Sequence, residues 1–288
     1  MIIGAIALAG GASYWFSQRN RTSHGTMASQ AESAAPDSGQ IADAEHYPAS
    51  DTRLSSPEKK ELPASPDSGS PWRTGEVLDY SADVAKLTNV ANLRLQVAGR
   101  PDFQGKKAWH LQAFAHTENP LRMVFELDDQ FDSYSDAETL ASLQYEMHLK
   151  ERGEKVDSVQ RMTTSGKEPA PPNVTETRVL PGTRDPLGFM QYLRSVDWQK
   201  TREVQGPVYD GHKLYDVRAS LTNSAEAVAV TAGNYRASKI KIRVFDQGVE
   251  MKDASFALYL RNDASRIPVL LEAVMPFATA RVQLVRAR

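Results

Sequence analysis

"SLQYEMHLKE" occupies residues 142–151, and its reading decides the fold. Along an extended chain Leu143, Tyr145, Met147 and Leu149 point one way, and Gln144, Glu146, His148 and Lys150 point the other. A period of two with one apolar side describes a strand with one face on a core and one in water. The same period recurs in "NLRLQV" (Leu93, Leu95, Val97) and in "KIKIRV" (Ile240, Ile242, Val244). Turn chemistry separates the runs: "RGEK" after Glu151, "YDGHK" at 209–213 and "DQG" at 246–248. Asp210-Gly211 between two strands is the strongest hairpin signal.

Extended over the chain, this reading places strands near 84–98, 106–117, 121–128, 142–150, 155–163, 203–209, 212–221, 226–231, 237–245, 253–260, 266–275 and 279–286. Some of these merge, which makes about 10–11 strands. Short connections favour an antiparallel meander. A sheet of that size with one apolar face curls rather than lies flat. The expected fold is therefore mainly β: a curled antiparallel sheet, half-barrel or open barrel, with one short helix packed on it.

The helix is "TRDPLGFMQYLRSV", residues 183–196. Asp185 is a good N-cap and Pro186 a good first helical residue. Phe189, Tyr192, Leu193 and Val196 fall at i, i+3, i+4 and i+7 and form one apolar stripe. Such a stripe must pack on something, and the concave side of the sheet is available. Arg184, Tyr192 and Arg194 are the candidate ligand-binding residues. An arginine here can hold an anion; its more ordinary work is to bridge the helix C-terminus to a carboxylate.

Before the sheet the chain changes character twice. "MIIGAIALAGGASYWF" (1–16) is apolar and gives way to "SQRNR". As a helix it would be roughly 24 Å long at about 1.5 Å per residue, short for a hydrocarbon core of about 30 Å. Residues 1–21 therefore read as a signal or anchor segment with Tyr14, Trp15 and Phe16 as an aromatic belt. Arg19 and Arg21 follow the apolar run, which by the positive-inside rule pulls the other way. Residues 22–70 are rich in Ser, Ala, Pro, Asp and Glu and nearly devoid of large apolar side chains. Such a stretch cannot bury enough surface to offset its ordering entropy, so it reads as a disordered linker. Residues 71–288 then form the β-rich domain.

Composition excludes several chemistries. The chain has no cysteine, so disulfides, zinc–thiolate sites, iron–sulfur clusters and thiol nucleophiles are ruled out. Net charge is -2, which gives no reason to expect nucleic acid. His110 and His116 would share one face of a strand, but about 20 Å apart at roughly 3.3 Å per residue, too far to share a metal. The acid run "LDDQFDSYSDAE" (127–138) lacks the register of a calcium loop and reads as a solvated turn. There is no G-x-S-x-G, G-x-G-x-x-G or P-loop. Paired carboxylates for glycosidic chemistry need no fixed spacing and stay open. No catalytic residue, metal or cofactor is assigned.

Several segments together resemble the bacterial domain-of-unknown-function family 3108. They are "GEVLDYSADV" (75–84), "DSYSDAETLASLQYEM" (132–147), "DPLGFMQYLRSV" (185–196), "DGHKLYDVRASL" (210–221) and "RNDASRIPVLLEAVM" (261–275). The resemblance implies an exported protein of a Gram-negative envelope, with a curved sheet like the half-barrels of lipoprotein carriers. The leading expectation is a non-enzymatic, periplasm-facing protein tethered to the membrane through its N-terminus. It would bind a lipid or other apolar ligand, or an envelope protein partner, in or on the curved sheet. Two alternatives stand beside it: an enzyme acting on an envelope polymer near the 185–196 helix, and a structural scaffold.

Overall fold

A computed structural model of the chain describes residues 70–165, 171–275 and 278–288. The proposed anchor (1–21) and almost all of the proposed linker (22–70) lie outside the described residues. In chain order the strands are β1 (Val77–Val84), β2 (Leu87–Gly99), β3 (Asp102–Phe103), β4 (Lys106–Thr117), β5 (Asp128–Asp136), β6 (Ser142–Glu151), β7 (Glu154–Thr163) and β8 (Thr175–Arg178). After the helix α1 (Pro186–Ser195) come β9 (Glu203–Tyr209), β10 (Leu214–Val230), β11 (Gly233–Asp246), β12 (Val249–Glu250), β13 (Ser255–Arg261), β14 (Pro268–Val274) and β15 (Thr279–Ala287).

All the strands belong to one open sheet in the order β8-β7-β6-β5-β4-β2-β1-β15-β14-β13-β11-β10-β9, with β3 and β12 as small additions. Every neighbouring pair is antiparallel except β7 with β8. The meander is broken once, where β1 pairs with β15, so the two ends of the domain meet in the middle of the sheet. The structure has more strands than the ten or eleven expected. β3 and β12 are two-residue pieces and β8 has four residues, all too short to carry a period. β10 joins two expected strands by bending through bulges between Leu221 and Glu226.

Two local readings are corrected. Residues 121–126 are not a strand: Leu121–Met123 form a 3-10 turn, and the strand begins only at Asp128. The acid run is no solvated turn, because Asp128–Asp136 is β5, in the body of the sheet between β4 and β6.

The period-two reading holds in β2 and β11 and at Tyr145 and Met147, whereas Leu143, beside the bulge opposite Tyr134 and Ser135, and Leu149 are only half-buried. Leu93, Leu95, Val97, Tyr145, Met147, Ile240, Ile242 and Val244 are all buried. The sheet rolls until its two edges, β8 and β9, approach one another. Among the described residues no ladder closes the gap, only an isolated bridge between Arg184 and Val208. Instead the Ser142 N–H donates to the Thr183 carbonyl, the Arg184 N–H to the Pro207 carbonyl, and the Tyr209 N–H to the Arg184 carbonyl, at 2.9–3.1 Å. Side chains complete the seam: Gln160 of β7 donates to the Gly211 carbonyl at 2.7 Å and accepts from Tyr209 at 2.6 Å.

The helix fills the interior of this half-barrel. Leu187, Phe189, Met190, Leu193 and Val196 are buried, so contact extends beyond the single stripe to most of the helix surface. Gly188 lets it come that close: a Cβ there would lie 2.7 Å from Ser135 Oγ and 3.1 Å from the Leu140 carbonyl.

Candidate functional site

Asp185 caps α1 as expected, accepting from the Leu187 and Gly188 N–H groups at 2.8 and 2.9 Å. Its second oxygen accepts from Ser133 (2.5 Å) and from Ser142, both on neighbouring strands. Burial pushes this carboxyl up, and the two hydroxyls and two helix N–H groups oppose that push. The cluster fixes the start of the helix against β5 and β6. Asp185 and Ser133 are wholly buried, while Ser142 reaches the wall of a concavity of about 300 Å³.

Of the three candidate ligand-binding residues, the structure brings two together. The Arg184 guanidinium stacks on the Tyr192 ring, 3.9 Å from its centroid, and donates to the Thr139 carbonyl at 2.8 Å. Burial lowers its affinity for the proton and raises that of the Tyr192 phenol. Arg194 lies on the opposite side of the helix. It forms a bidentate pair with Glu76, at 2.7 and 3.0 Å, and donates to Gln191 and to the Pro71 and Ser265 carbonyls. It is wholly buried and carries out the ordinary arginine role, tying the helix to a carboxylate just ahead of β1.

The space left between α1 and the inner face of β1, β2 and β4 is about 10 Å³, lined by Leu78, Leu95, Leu111, Leu187 and Met190 among others. That is about enough for one water. A far larger concavity, about 640 Å³, opens beyond the C-terminal end of the helix. Trp198, Arg202, Ser238, Arg261, Asn262 and Arg266 contribute to its wall. Arg266 donates to the Arg194 and Ser195 carbonyls, both at 3.1 Å, and so caps the helix C-terminus. Arg261 is paired with Asp263 and donates to Ser265. Arg202 is exposed at the mouth. The groove draws on the segments after α1, the bend of β10, β11 and the β13–β14 connection. Sequence reading passed over it because no one segment holds more than a part of it. The outward trace was the polar run "RNDASR" (261–266) between two apolar strands.

On the outer face, His110 of β4 lies 2.7 Å from Asp132 of β5, which also accepts from Gln112 and Gln130. Burial disfavours the Asp132 charge, but these hydrogen bonds outweigh it and hold the carboxyl below its usual value. His110 stacks on Tyr134 and Tyr134 on Phe103, with centroids 4.5 and 4.2 Å apart. Among the described residues no three His, Asp or Glu side chains converge as a metal site would require.

Residues 79–285 match the family described as "Protein of unknown function (DUF3108)". The chain belongs to the DUF3108 family. No curated protein matches it. Among solved structures, the DUF3108 domain is similar to the "beta-barrel-like protein of domain of unknown function DUF1849" from Brucella abortus, at 11% identity and a TM-score of 0.47. That match covers 74% of this chain and 97% of the other. A "putative lipoprotein" from Parabacteroides distasonis matches at 12% identity and a TM-score of 0.34, over 75% of this chain and 96% of its own. A "putative exported protein with YmcC-like fold" from Bacteroides fragilis matches at 10% identity and a TM-score of 0.32, over 76% and 98%.

Proposed function

We propose that this DUF3108 protein is a non-enzymatic envelope module that acts by binding a partner on its surface. One observation carries the reading: the helix packs into the concave side of the sheet with little space left under it, and the largest described concavity opens at the mouth beyond the helix C-terminus, where the inner-face residues Leu221, Ser238 and Leu260 reach it. A carrier of apolar ligands would need uncovered apolar side chains inside. Here the roomy groove mixes three arginines and two aspartates with Trp198, Leu221 and Leu260, which suits a partner segment of mixed polar and apolar character rather than a purely apolar ligand. The enzyme alternative draws less support, since the polar groups around the helix start are committed to one another and to the helix backbone. The apolar 1–16 stretch and the acidic spacer favour an exported, membrane-tethered chain.

Two experiments test this. An alkaline-phosphatase fusion after residue 70 is expected to be active in cells; an inactive fusion removes the envelope reading. A photo-crosslinking residue at Asn262 is expected to give a discrete adduct in cells that Arg202→Glu weakens. Absence of any adduct there removes the groove as the binding surface.

A further inference from the structure

The register of the sheet sorts its connections into two ends. The β1–β2 turn, the β4–β5 loop, the β6–β7 turn, the β9–β10 turn, the β11–β13 loop and the β14–β15 turn all lie at one end. The chain enters β1 and leaves β15 at the other, where the Val77 and Arg288 amides bond each other's carbonyls.

Eight large apolar side chains are exposed among the described residues, and six stand on the first end: Leu87, Met123, Val124, Val249, Met251 and Val274. They are not scattered around it. They occupy four successive connections along the order β5-β4-β2-β1-β15-β14-β13-β11, an arc of roughly 34 Å at about 4.8 Å per strand. Met123 is 81% exposed and Val249 71%. The two remaining connections at this end, Arg152-Gly153 and Asp210–Lys213, are polar.

We infer that this rim seats on the surface of a zwitterionic phospholipid bilayer, with the apolar tips in the interface. A protein partner would call for a continuous apolar centre with charge kept to the edge. The rim has the other pattern, in which short apolar tips, one of them the pair Met123-Val124, are interleaved with charges: Lys86 beside Leu87, Arg122 beside Met123, and Glu250, Lys252 and Asp253 around Met251. That spacing of apolar tips and snorkelling cations matches an interface where acyl chains begin just below the phosphates. Acids and bases are mixed, which fits headgroups carrying both charges rather than a purely anionic surface. Arg122 already holds Glu126 and Asp128, so this loop brings no unpaired cation.

The inference rests on the tethered reading only for reach. The tether joins at the far end, so the chain must run back past the domain for the rim to meet the membrane that anchors it. A spacer of about fifty residues has an r.m.s. reach of roughly 40 Å, which is enough.

The absence of cysteine makes the test direct. Met123→Cys, Val249→Cys and, at the opposite end, Leu180→Cys are each labelled with a polarity-sensitive fluorophore in the full chain. The proteins are then mixed with phosphatidylcholine–phosphatidylethanolamine vesicles containing a nitroxide-labelled lipid. The expected result is a blue shift and strong quenching at 123 and 249, with position 180 remaining aqueous. If the chain floats with the vesicles but all three probes stay aqueous, the tether stands and the rim inference falls. If the chain does not float and no probe shifts, both fall. A shift at 123 and 249 that needs no lipid and grows with protein concentration means that a second copy covers the rim, which also overturns the inference.

Discussion

Asp129 lies on the inner face of β5, with one carboxylate oxygen bonded to the Lys150 amide and the other without a partner. Burial pushes its pKa up to about 7, the Lys150 N–H opposes this, and the charges of Glu151 and Asp128 add to it. The unfolded chain therefore gives up this proton first, near pH 4, and the folded state is increasingly disfavoured as pH rises from there to 7. Above pH 7 the difference is constant, up to about 4 kcal/mol. Asp129→Asn should flatten this decline and raise the melting temperature at pH 8, as read in paired melts at pH 5 and 8. Arg194 makes the complementary case. Glu76→Gln leaves its buried charge without a counter-charge and should cost on the order of 3–5 kcal/mol in a denaturant titration. Neither effect was legible in the sequence. Glu76 and Arg194 stand 118 residues apart, and an acid run shows nothing of the cross-strand partners that let it enter a sheet.

The helix was legible, because capping and the i, i+3, i+4 pattern are local signals. Asp185, Pro186 and the stripe stand where they were expected. What the sequence could not show is how tightly the helix is enclosed. Gly188→Ala would gain about 1 kcal/mol in an exposed helix. Here the added methyl meets Ser135 and the Leu140 carbonyl, and the change should instead cost about 1–3 kcal/mol. Leu193→Ala should cost roughly 2–5 kcal/mol, as cavity-forming substitutions do. If both variants melt like the parent, the helix does not fill the sheet. The groove, by contrast, was invisible as a site, since chain segments far apart in sequence form its wall and none has a motif of its own.

At the scale of the molecule, the curled sheet followed from periodicity and turn chemistry alone, whereas the meeting of β1 with β15 did not, since pairing between chain ends leaves no local mark. Composition changes at Pro71-Trp72, and Trp72 is buried against Trp109, which makes it part of the core. Limited proteolysis of the full chain should therefore yield a stable fragment starting between Ser70 and Gly75, as mass spectrometry would show. A fragment beginning well inside β1 would contradict that boundary.

The position of β1 also governs how the domain bears tension. A tether joined to an edge strand would peel it away one hydrogen bond at a time. Here the chain ahead of the sheet leads into β1, which is paired along Leu78–Val84 to β15 and over Val77–Val84 to β2. Antiparallel hydrogen bonds run across the strands, so a pull along β1 loads both of its ladders in shear, all at once. A force applied ahead of Val77 against a held far rim would thus enter the domain at a strand well placed to resist extraction.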